Sequence, residues 1–162
     1  MTKIIAEFCQ NHNGDFELLK EMIYAAKEAG ATHGKIQTIF ADDLTFRPRF
    51  EKGVIEKDEI LSIKRPYKLE YERLKKLDLS YDNQLEFIEI CNKNDLIPLT
   101  TAFTMDSIKK ISDIGFKEVK VASYDCSSFP FLIQLKKYFN KIYLSTGATF
   151  DSEIESAYEI LK

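Results

Sequence analysis

Residues 96–123 read LIPLTTAFTMDSIKKISDIGFKEVKVAS, and this stretch decides the fold class. A β-rich run at 96–103 is followed by Thr104, a residue type that favours the start of a helix. Three isoleucines at helical spacing come next, and Gly115 is placed to end the helix. Residues 118–123 then form a second β-rich run. The stretch therefore predicts a strand–helix–strand unit with parallel strands.

The same alternation extends over the whole chain of 162 residues. Strands are predicted at 3–8, 34–40, 96–103, 118–123 and 141–146. Helices are predicted between them, with starts marked by Asp15, Ser80, Thr104, Pro130 and Asp151. An open dinucleotide-binding sheet would need a glycine-rich turn after its first strand, but the turn here, QNHNGD, has one glycine. Polar residues at the ends of many strands favour a barrel instead.

The expected fold class is therefore α/β, as a partial TIM-type barrel. A complete (β/α)₈ barrel takes about 250 residues, and the chain provides about five of the eight βα units. We expect residues 1–162 to form a single domain, the N-terminal portion of a barrel.

Composition narrows the class of partner and the compartment. A net charge of −3 disfavours binding to nucleic acid or to an anionic membrane through bulk charge, while a small anionic substrate stays possible. The chain has no apolar run long enough for a membrane span and no signal-peptide pattern. Three scattered cysteines indicate buried apolar residues rather than disulfides, and we expect a cytoplasmic protein.

Residues 41–80 interrupt the βα rhythm with a charged segment that contains Pro48 and Pro66. A βα loop of this length is usually functional or disordered. We favour a substrate-facing flap at the barrel mouth, and the alternative is a solvated insertion.

Polar side chains gather where the predicted strands end. They are Glu7, Lys35, Gln37, Thr101, Lys120, Ser123, Asp125 and Ser145. A lysine inside an apolar parallel strand is costly unless its ammonium group meets an anion. Lys35 and Lys120, on the second and fourth strands, could therefore hold a carboxylate or a phosphate between them, with the hydroxyl groups as further donors. Alternatively, each lysine forms a structural ion pair with Glu7 or Asp125, or extends its side chain outward to solvent.

The remaining candidates are two carboxylates and two histidines. Glu7 or Asp125 could orient or deprotonate a hydroxyl group or a water molecule, or could only neutralise the lysines. His12, in a loop, is expected to be a hydrogen-bonding residue rather than a metal ligand. His33 is expected on the surface, in a helix–strand turn.

These motifs together resemble the N-acetylneuraminate (sialic acid) synthase family. The resemblance begins with IAEFCQNHNGDFELLKEMIYAAKEAGATHGKIQTI at residues 5–39 and continues, in register, through YKLEYERLKKLDLS, LTTAFT, VKVASYD and LSTGAT. It covers essentially the whole chain. Each motif alone is weak, and five in order are strong.

The resemblance implies a (β/α)₈ barrel that condenses phosphoenolpyruvate with an open-chain N-acyl-mannosamine-type aldehyde, releasing phosphate and forming a nonulosonic acid. Transferred position by position, Lys35, Thr101 and Lys120 would hold the phosphoenolpyruvate carboxylate. Ser123 and Ser145 would contact its phosphate. Glu7 and Gln37 would bind the sugar, and Asp125 would stand where the family commonly has a glutamate beside the metal and the attacking water. The catalytic residues implied are thus Glu7 and Asp125.

The resemblance also implies a divalent metal, Mn²⁺ or Mg²⁺, whose two histidine ligands lie on later strands of the family and not in this chain. Ala102 replaces the usual proline, and Asp125 is one methylene shorter than the common glutamate. Completion of the barrel by a homo-oligomer or by a second polypeptide is therefore expected. The alternatives are a non-catalytic half-barrel or interaction subunit and, less favoured, another phosphoenolpyruvate-using barrel such as a deoxy-heptulosonate synthase.

Overall fold

A computed structural model describes residues 2–57 and 59–162. The strands across these residues are β1 (Ile5–Cys9), β2 (His33–Ile36), β3 (Val54–Glu56), β4 (Glu59–Ser62), β5 (Ile97–Thr101), β6 (Glu118–Val121) and β7 (Lys141–Leu144). The α-helices are α1 (Phe16–Glu28), α2 (Pro48–Lys52), α3 (Tyr67–Leu77), α4 (Tyr81–Lys93), α5 (Met105–Ile114), α6 (Phe129–Tyr138) and α7 (Asp151–Leu161). None of the helices in the described residues combines the length and the apolar composition that a membrane span requires.

The main sheet is parallel, with the strand order β1-β2-β5-β6-β7. Each new strand is added at the same edge, and the order never reverses as it does in an open doubly wound sheet. Right-handed crossovers in this order place the connecting helices on one face. The fold is therefore an α/β partial barrel, as the sequence predicted.

The helix starts that the sequence marked are confirmed to within one or two residues, and at three of them a side chain caps the helix. The Asp15 carboxylate accepts hydrogen bonds from the first turn of α1, and Ser80 accepts from the Asn83 N–H at 3.1 Å. Thr104 and Ser107 form a reciprocal capping box at the start of α5. These side chains satisfy N–H groups that have no partner inside the helix.

The hydrophobic core lies between the sheet and the helices. The buried side chains on the helix-facing side of the strands include Phe8, Ile36, Val119 and Val121, which pack with residues of α1, α4, α5 and α6. Because side chains alternate along a strand, residues one position away point to the opposite, inner face. That inner face carries the polar strand residues.

Four of the predicted strands end earlier than the sequence indicated: they end at Ile36, Thr101, Val121 and Leu144. The second ends at Ile36 rather than at residue 40, because the Thr38 N–H donates to the Thr100 hydroxyl at 3.1 Å instead of continuing the ladder. The Thr38 hydroxyl also donates to the Gln84 side chain of α4 at 3.0 Å. This buried network fixes the carboxyl end of β2 against β5 and α4.

The described residues of the insertion, 41–57 and 59–80, include helical turns and a hairpin. They contain α2, the antiparallel pair β3–β4 and α3. The Arg65 N–H donates to the Phe50 carbonyl at 2.7 Å, and the Tyr67 N–H donates to the Glu51 carboxylate at 2.6 Å. These bonds join the two ends of the hairpin segment.

Candidate functional site

Lys35 and Lys120 lie on the inner face of the sheet, toward the carboxyl ends of β2 and β6. Lys35 is in register with Glu7 and with Leu99, and Lys120 is in register with Thr101. Lys35 is 1% exposed, and its Nζ lies 2.7 Å from Glu7 Oε2. Lys120 is partly buried, and none of the described carboxylates lies within ion-pair distance of it.

Burial dominates the electrostatics of Lys35. It lowers the pKa of Lys35, Glu7 opposes that effect, and the positive charge of Lys120 lowers the pKa further. The two ammonium groups are therefore close enough to repel one another, and the one half-exposed carboxylate, Glu7, is paired with Lys35 alone. Such an arrangement is favourable for an additional anion. The expected pairing of Lys35 with Glu7 is confirmed, but a pairing of Lys120 with Asp125 is not found.

Glu7 is held by both of its carboxylate oxygens. Oε2 accepts from Lys35, and Oε1 accepts from the Cys9 N–H at 3.1 Å. The register between β1 and β2 shifts at this point, and Cys9 adopts a positive φ of 55°. The strand irregularity thus presents the N–H that orients Glu7. The side chain keeps 45% of its surface exposed and can still reach a ligand.

Three hydroxyl groups surround the same edge of the sheet. Thr101 is buried at the end of β5, beside Lys120 in register. Ser123 opens a 3₁₀ turn that follows β6, and Ser145 follows β7 with its N–H donating to the Val121 carbonyl at 3.2 Å. A β-carbon on Gly147 would lie 3.8 Å from the Ser123 hydroxyl, so this glycine keeps the loop after β7 close to Ser123. The structure brings the three residues to neighbouring strand ends.

Asp125 ends the 3₁₀ turn that begins at Ser123. Its Oδ2 atom is buried and, among the described residues, has no hydrogen-bond partner. Burial raises the pKa of Asp125, and Tyr124 partly opposes this effect. A carboxylate with an unused buried oxygen and a raised pKa suits proton transfer.

A cavity of about 500 Å³ lies beside these residues, between the strand ends and the insertion. Gln37, Phe103 and Tyr124 line it from the barrel side, and Arg47 and Phe50 are among the residues that line it from the insertion. Its volume falls within the range of about 300–1,000 Å³ that is usual for small-molecule sites. The lysines do not line this cavity, so Gln37 is the predicted site residue that connects the two regions.

The structure confirms the prediction for His12 and contradicts the prediction for His33. His12 is buried, and its Nδ1 accepts from the Gly14 N–H at 3.0 Å, which confirms its hydrogen-bonding role. The prediction that His33 lies on the surface is wrong: His33 is fully buried on the inner face of β2. Its ring is held by Thr32 at 2.7 Å and by the Tyr143 hydroxyl at 2.9 Å. The sequence placed it in a turn because β2 begins one residue earlier than predicted.

His33 belongs to a polar group at the amino end of the sheet that the sequence did not reveal. The Tyr143 hydroxyl donates to Glu118 at 2.8 Å, and Lys141 lies 3.6 Å from the same carboxylate. We call His33, Glu118, Lys141 and Tyr143 the Glu118 cluster. The sequence did contain a signal for this group: Lys141 and Tyr143, and likewise Glu118 and Lys120, are two residues apart, which places each pair on one face of its strand.

Over residues 2–57 and 59–162, no three His, Cys, Asp or Glu side chains are grouped so that they could hold a metal ion. His12 is engaged with the backbone and His33 with the Glu118 cluster. Cys91 is buried, which raises the pKa of its thiol to about 12, and the described cysteines are free. The residues present therefore do not fit the divalent metal expected from the family resemblance.

Comparison with known proteins gives a consistent family assignment. A model of the NeuB family matches residues 22–162. N,N'-diacetyllegionaminic acid synthase of Legionella pneumophila is 34% identical over 160 residues, which are 98% of this chain and 43% of that protein. The enzyme of the same name from Campylobacter jejuni is 32% identical and covers 99% of this chain and 46% of its own length.

A solved structure shares both the fold and the sequence pattern. The N-acetylneuraminic acid synthetase of Leptospira borgpetersenii, crystallised in complex with citrate, superposes with a TM-score of 0.76 at 26% identity. The match covers 98% of this chain and 49% of the synthetase chain. The chain thus spans less than half the length of each of these relatives.

Proposed function

The chain belongs to the NeuB family of sialic-acid-type synthases, and from that premise we propose that it forms the phosphoenolpyruvate-binding part of such an enzyme. The proposed reaction joins C3 of phosphoenolpyruvate to the aldehyde carbon of an open-chain N-acyl-mannosamine-type sugar. Water adds at C2, and the bond to phosphate breaks. The products are a nonulosonic acid and inorganic phosphate, and we place the reaction in the cytoplasm.

The observation that supports this proposal best is the charge imbalance of the two lysines. Lys35 is paired with one half-exposed carboxylate, Lys120 has no described carboxylate within ion-pair distance, and burial disfavours the charged form of Lys35. A bound carboxylate would restore the balance, because a charge-assisted hydrogen bond is worth about 1.5–3 kcal/mol. We assign Lys35, Lys120 and Thr101 to the phosphoenolpyruvate carboxylate.

The other strand-end residues are assigned to the phosphate and to proton transfer. Ser123 and Ser145 lie at adjacent strand ends and would donate hydrogen bonds to the phosphate oxygens. Asp125 would accept a proton from the water that attacks C2. Its raised pKa makes it a stronger base than an exposed aspartate. Glu7 and Gln37 would accept and donate hydrogen bonds to sugar hydroxyl groups and hold the aldehyde in line.

We also propose that a divalent metal, Mn²⁺ or Mg²⁺, takes part with ligands from outside this chain. When bound, such an ion polarises a carbonyl oxygen. The described residues offer no ligand set for it, so the roles above are assigned to side chains alone. A homo-oligomer or a second polypeptide would supply the missing ligands together with the remaining strands.

The test is calorimetric titration of the chain with phosphoenolpyruvate. We expect Lys120→Ala to weaken binding at least tenfold, because Lys120 has no described carboxylate that would compete for it. The matched control is Lys93→Ala, which removes an exposed lysine that lies 3.7 Å from Glu89 on α4 and should leave binding unchanged.

A turnover assay completes the test. Phosphate release from phosphoenolpyruvate is measured with N-acetylmannosamine, Mn²⁺ and the remaining barrel supplied as a second polypeptide from a relative. Release that depends on Lys120 supports the synthase. Equal phosphoenolpyruvate affinity in the wild type and Lys120→Ala, with no phosphate release, would exclude it.

A second candidate function is an interaction subunit without catalysis. Exposed apolar side chains favour it: Ile55 and Ile60 on the β3–β4 hairpin are 71% and 67% exposed, and Ile4 beside the edge strand β1 is 54% exposed. Open strand edges promote association. Sedimentation analysis of the chain with Ile55→Lys and Ile60→Lys would reveal whether the hairpin mediates assembly.

A further inference from the structure

The Glu118 cluster lies one layer below the two lysines of the proposed anion site, on the same inner face of the sheet. His33 and Lys35 are two residues apart on β2, and Glu118 and Lys120 are two residues apart on β6. Two residues along a strand span about 7 Å and return to the same face. Each of these strands therefore carries one residue of the cluster and one lysine of the proposed site.

A buried apolar side chain separates the two layers. Leu99 of β5 is fully buried, and it is in register with Lys35 on one side and with Glu118 on the other. It precedes Thr100, which hydrogen-bonds Thr38 on the helix side of the sheet, so Leu99 points to the inner face. Charges interact more strongly across buried apolar atoms than across water. A change of charge in the cluster should therefore act on the lysines.

His33 is the group of the cluster whose side-chain type can change its charge near neutral pH. The titratable groups around it are Glu118 of β6, Lys141 and Tyr143 of β7, and Lys3, which precedes β1. Burial lowers the pKa of His33, Glu118 opposes this effect, and Lys141 and Lys3 lower the pKa further. His33 is therefore neutral at pH 7 and takes up a proton in more acidic solution.

The fold provides hydrogen-bond partners for both protonation states of His33. In the charged form, Nδ1 donates to the Thr32 hydroxyl at 2.7 Å and Nε2 donates to the Tyr143 oxygen at 2.9 Å, while the Tyr143 hydroxyl donates to Glu118. In the neutral form, the Thr32 hydroxyl turns from the Ile4 carbonyl to Nδ1. That carbonyl still accepts from the N–H groups of Thr32 and His33, at 2.9 and 3.1 Å. His33 can thus gain or lose a proton while the cluster stays hydrogen-bonded.

We propose that His33 regulates the proposed phosphoenolpyruvate site: its protonation adds a positive charge one layer below Lys35 and Lys120 and tightens anion binding. The inference rests on the proposed function, because that function assigns the anion to these two lysines. By reciprocity, a bound anion must increase the proton affinity of His33 by the same factor. For partly screened charges about 7 Å apart, we expect a factor of about three to ten.

The first experiment is an NMR titration of the His33 ring, in the free chain and in the chain saturated with phosphoenolpyruvate. We expect the bound anion to increase the proton affinity of His33 about three- to tenfold. The same titration curve in both samples would overturn the inference and leave the proposed function standing. Because this experiment uses the wild type, it remains decisive if a variant does not fold.

The second experiment compares the phosphoenolpyruvate affinity of the wild type and His33→Gln by calorimetry, at about pH 5.5 and about pH 8. Glutamine keeps a donor and an acceptor but takes up no proton in this range. The phosphate of the ligand titrates equally with both proteins, so the ratio of the two affinities isolates the effect of His33. We expect the ratio of wild type to variant to rise about three- to tenfold at the lower pH.

The matched control is Glu89→Gln, which changes the charge by one unit at an exposed position of α4. The ratio of wild type to this variant should not depend on pH. A pH-independent ratio for His33→Gln would overturn the inference even if the variant binds more weakly, because uniform weakening indicates a structural role. Absence of phosphoenolpyruvate binding to the wild type at both pH values would overturn the proposed function and this inference with it.

Discussion

Replacement of Lys35 by methionine tests whether this lysine mainly binds a ligand or mainly stabilises the fold. Methionine has nearly the same length and volume but no charge. Lys35 is 1% exposed, and besides Glu7 it has one long contact, of 3.5 Å, with the carbonyl of Ile36. If Lys35 is present for a ligand, its removal should cost binding but not stability.

The expected size of the effect follows from the surroundings of Lys35. Burial and Lys120 both disfavour the ammonium, and a single half-exposed carboxylate supports it. Replacing a buried ion pair by apolar groups is often neutral or stabilising by about 1–4 kcal/mol. Here Glu7 stays but is half-exposed and can be hydrated. We therefore expect the effect of Lys35→Met on the free energy of unfolding to lie between a loss of about 1 kcal/mol and a gain of about 2 kcal/mol. We expect the same change to weaken phosphoenolpyruvate binding at least tenfold.

The assay is urea unfolding followed by circular dichroism, combined with calorimetric titration of phosphoenolpyruvate. Glu7→Gln is the companion variant: it leaves the lysine buried without a counter-charge and should destabilise by about 1–3 kcal/mol. Burial lowers the pKa of Lys35, so the unfolded chain binds its proton more readily than the folded one. The stability of the wild type relative to Lys35→Met should therefore rise as the pH approaches about 10.4. A loss of more than 3 kcal/mol in Lys35→Met, with unchanged phosphoenolpyruvate affinity, would refute the reasoning and identify a structural ion pair.

Three further predictions concern the frame around the site. Gly14 has a φ of 82°, and a β-carbon there would lie 2.2 Å from the Lys76 carbonyl oxygen, so Gly14→Ala should cost about 2–4 kcal/mol in urea unfolding, against about 1 kcal/mol for Gly30→Ala, where φ is 84° and nothing lies within 4 Å. Burial lowers the pKa of His12, so the folded chain binds its proton less readily than the unfolded one; the free energy of unfolding should fall as pH drops below about 6.5, and His12→Asn should flatten that fall in pH-dependent thermal melts. Thr100→Val removes a hydroxyl group from the buried network at the end of β2 and should cost about 1–3 kcal/mol; an unchanged melting temperature would show that the network is dispensable.

The fold could be predicted from the sequence because local signals agreed with one another. Capping residues, helical spacing and β-rich runs each marked the same boundaries within a few residues, and a parallel sheet with one-sided crossovers is the simplest arrangement of such units. The strand ends were less accurate. A threonine after β2 looks like a strand residue in sequence, but its N–H binds Thr100.

The inner-face positions of the site could also be predicted from the sequence. Lys35 and Lys120 each alternate with apolar residues on a strand, and period two then places both on the face that the helices leave uncovered. Their register with Glu7 and Thr101 follows from the parallel pairing.

The cavity and the burial of His33 could not be predicted in the same way. Arg47 and Phe50 reach the cavity through contacts within the insertion, such as the bond between the Arg65 N–H and the Phe50 carbonyl, which no periodic pattern encodes. His33 is buried because Tyr143 and Glu118 lie opposite it across the sheet, at sequence separations that only the tertiary structure reveals.

The two ends of the inner face carry similar charged and polar residue types, but they differ in how far these groups are paired within the chain. At the amino end, the Glu118 cluster surrounds one carboxylate with a phenol, an imidazole and an ammonium group, and its hydrogen bonds lie within the chain. At the carboxyl end, Lys120 adds a second positive charge near Lys35, only Lys35 has a described carboxylate partner, and Asp125 keeps a buried oxygen without a described partner. The Glu118 cluster shows that polar residues on this face can be paired by other residues of the chain. A buried charge without a partner lowers stability. At the carboxyl end, a bound anion would pair with the lysines and remove this destabilisation.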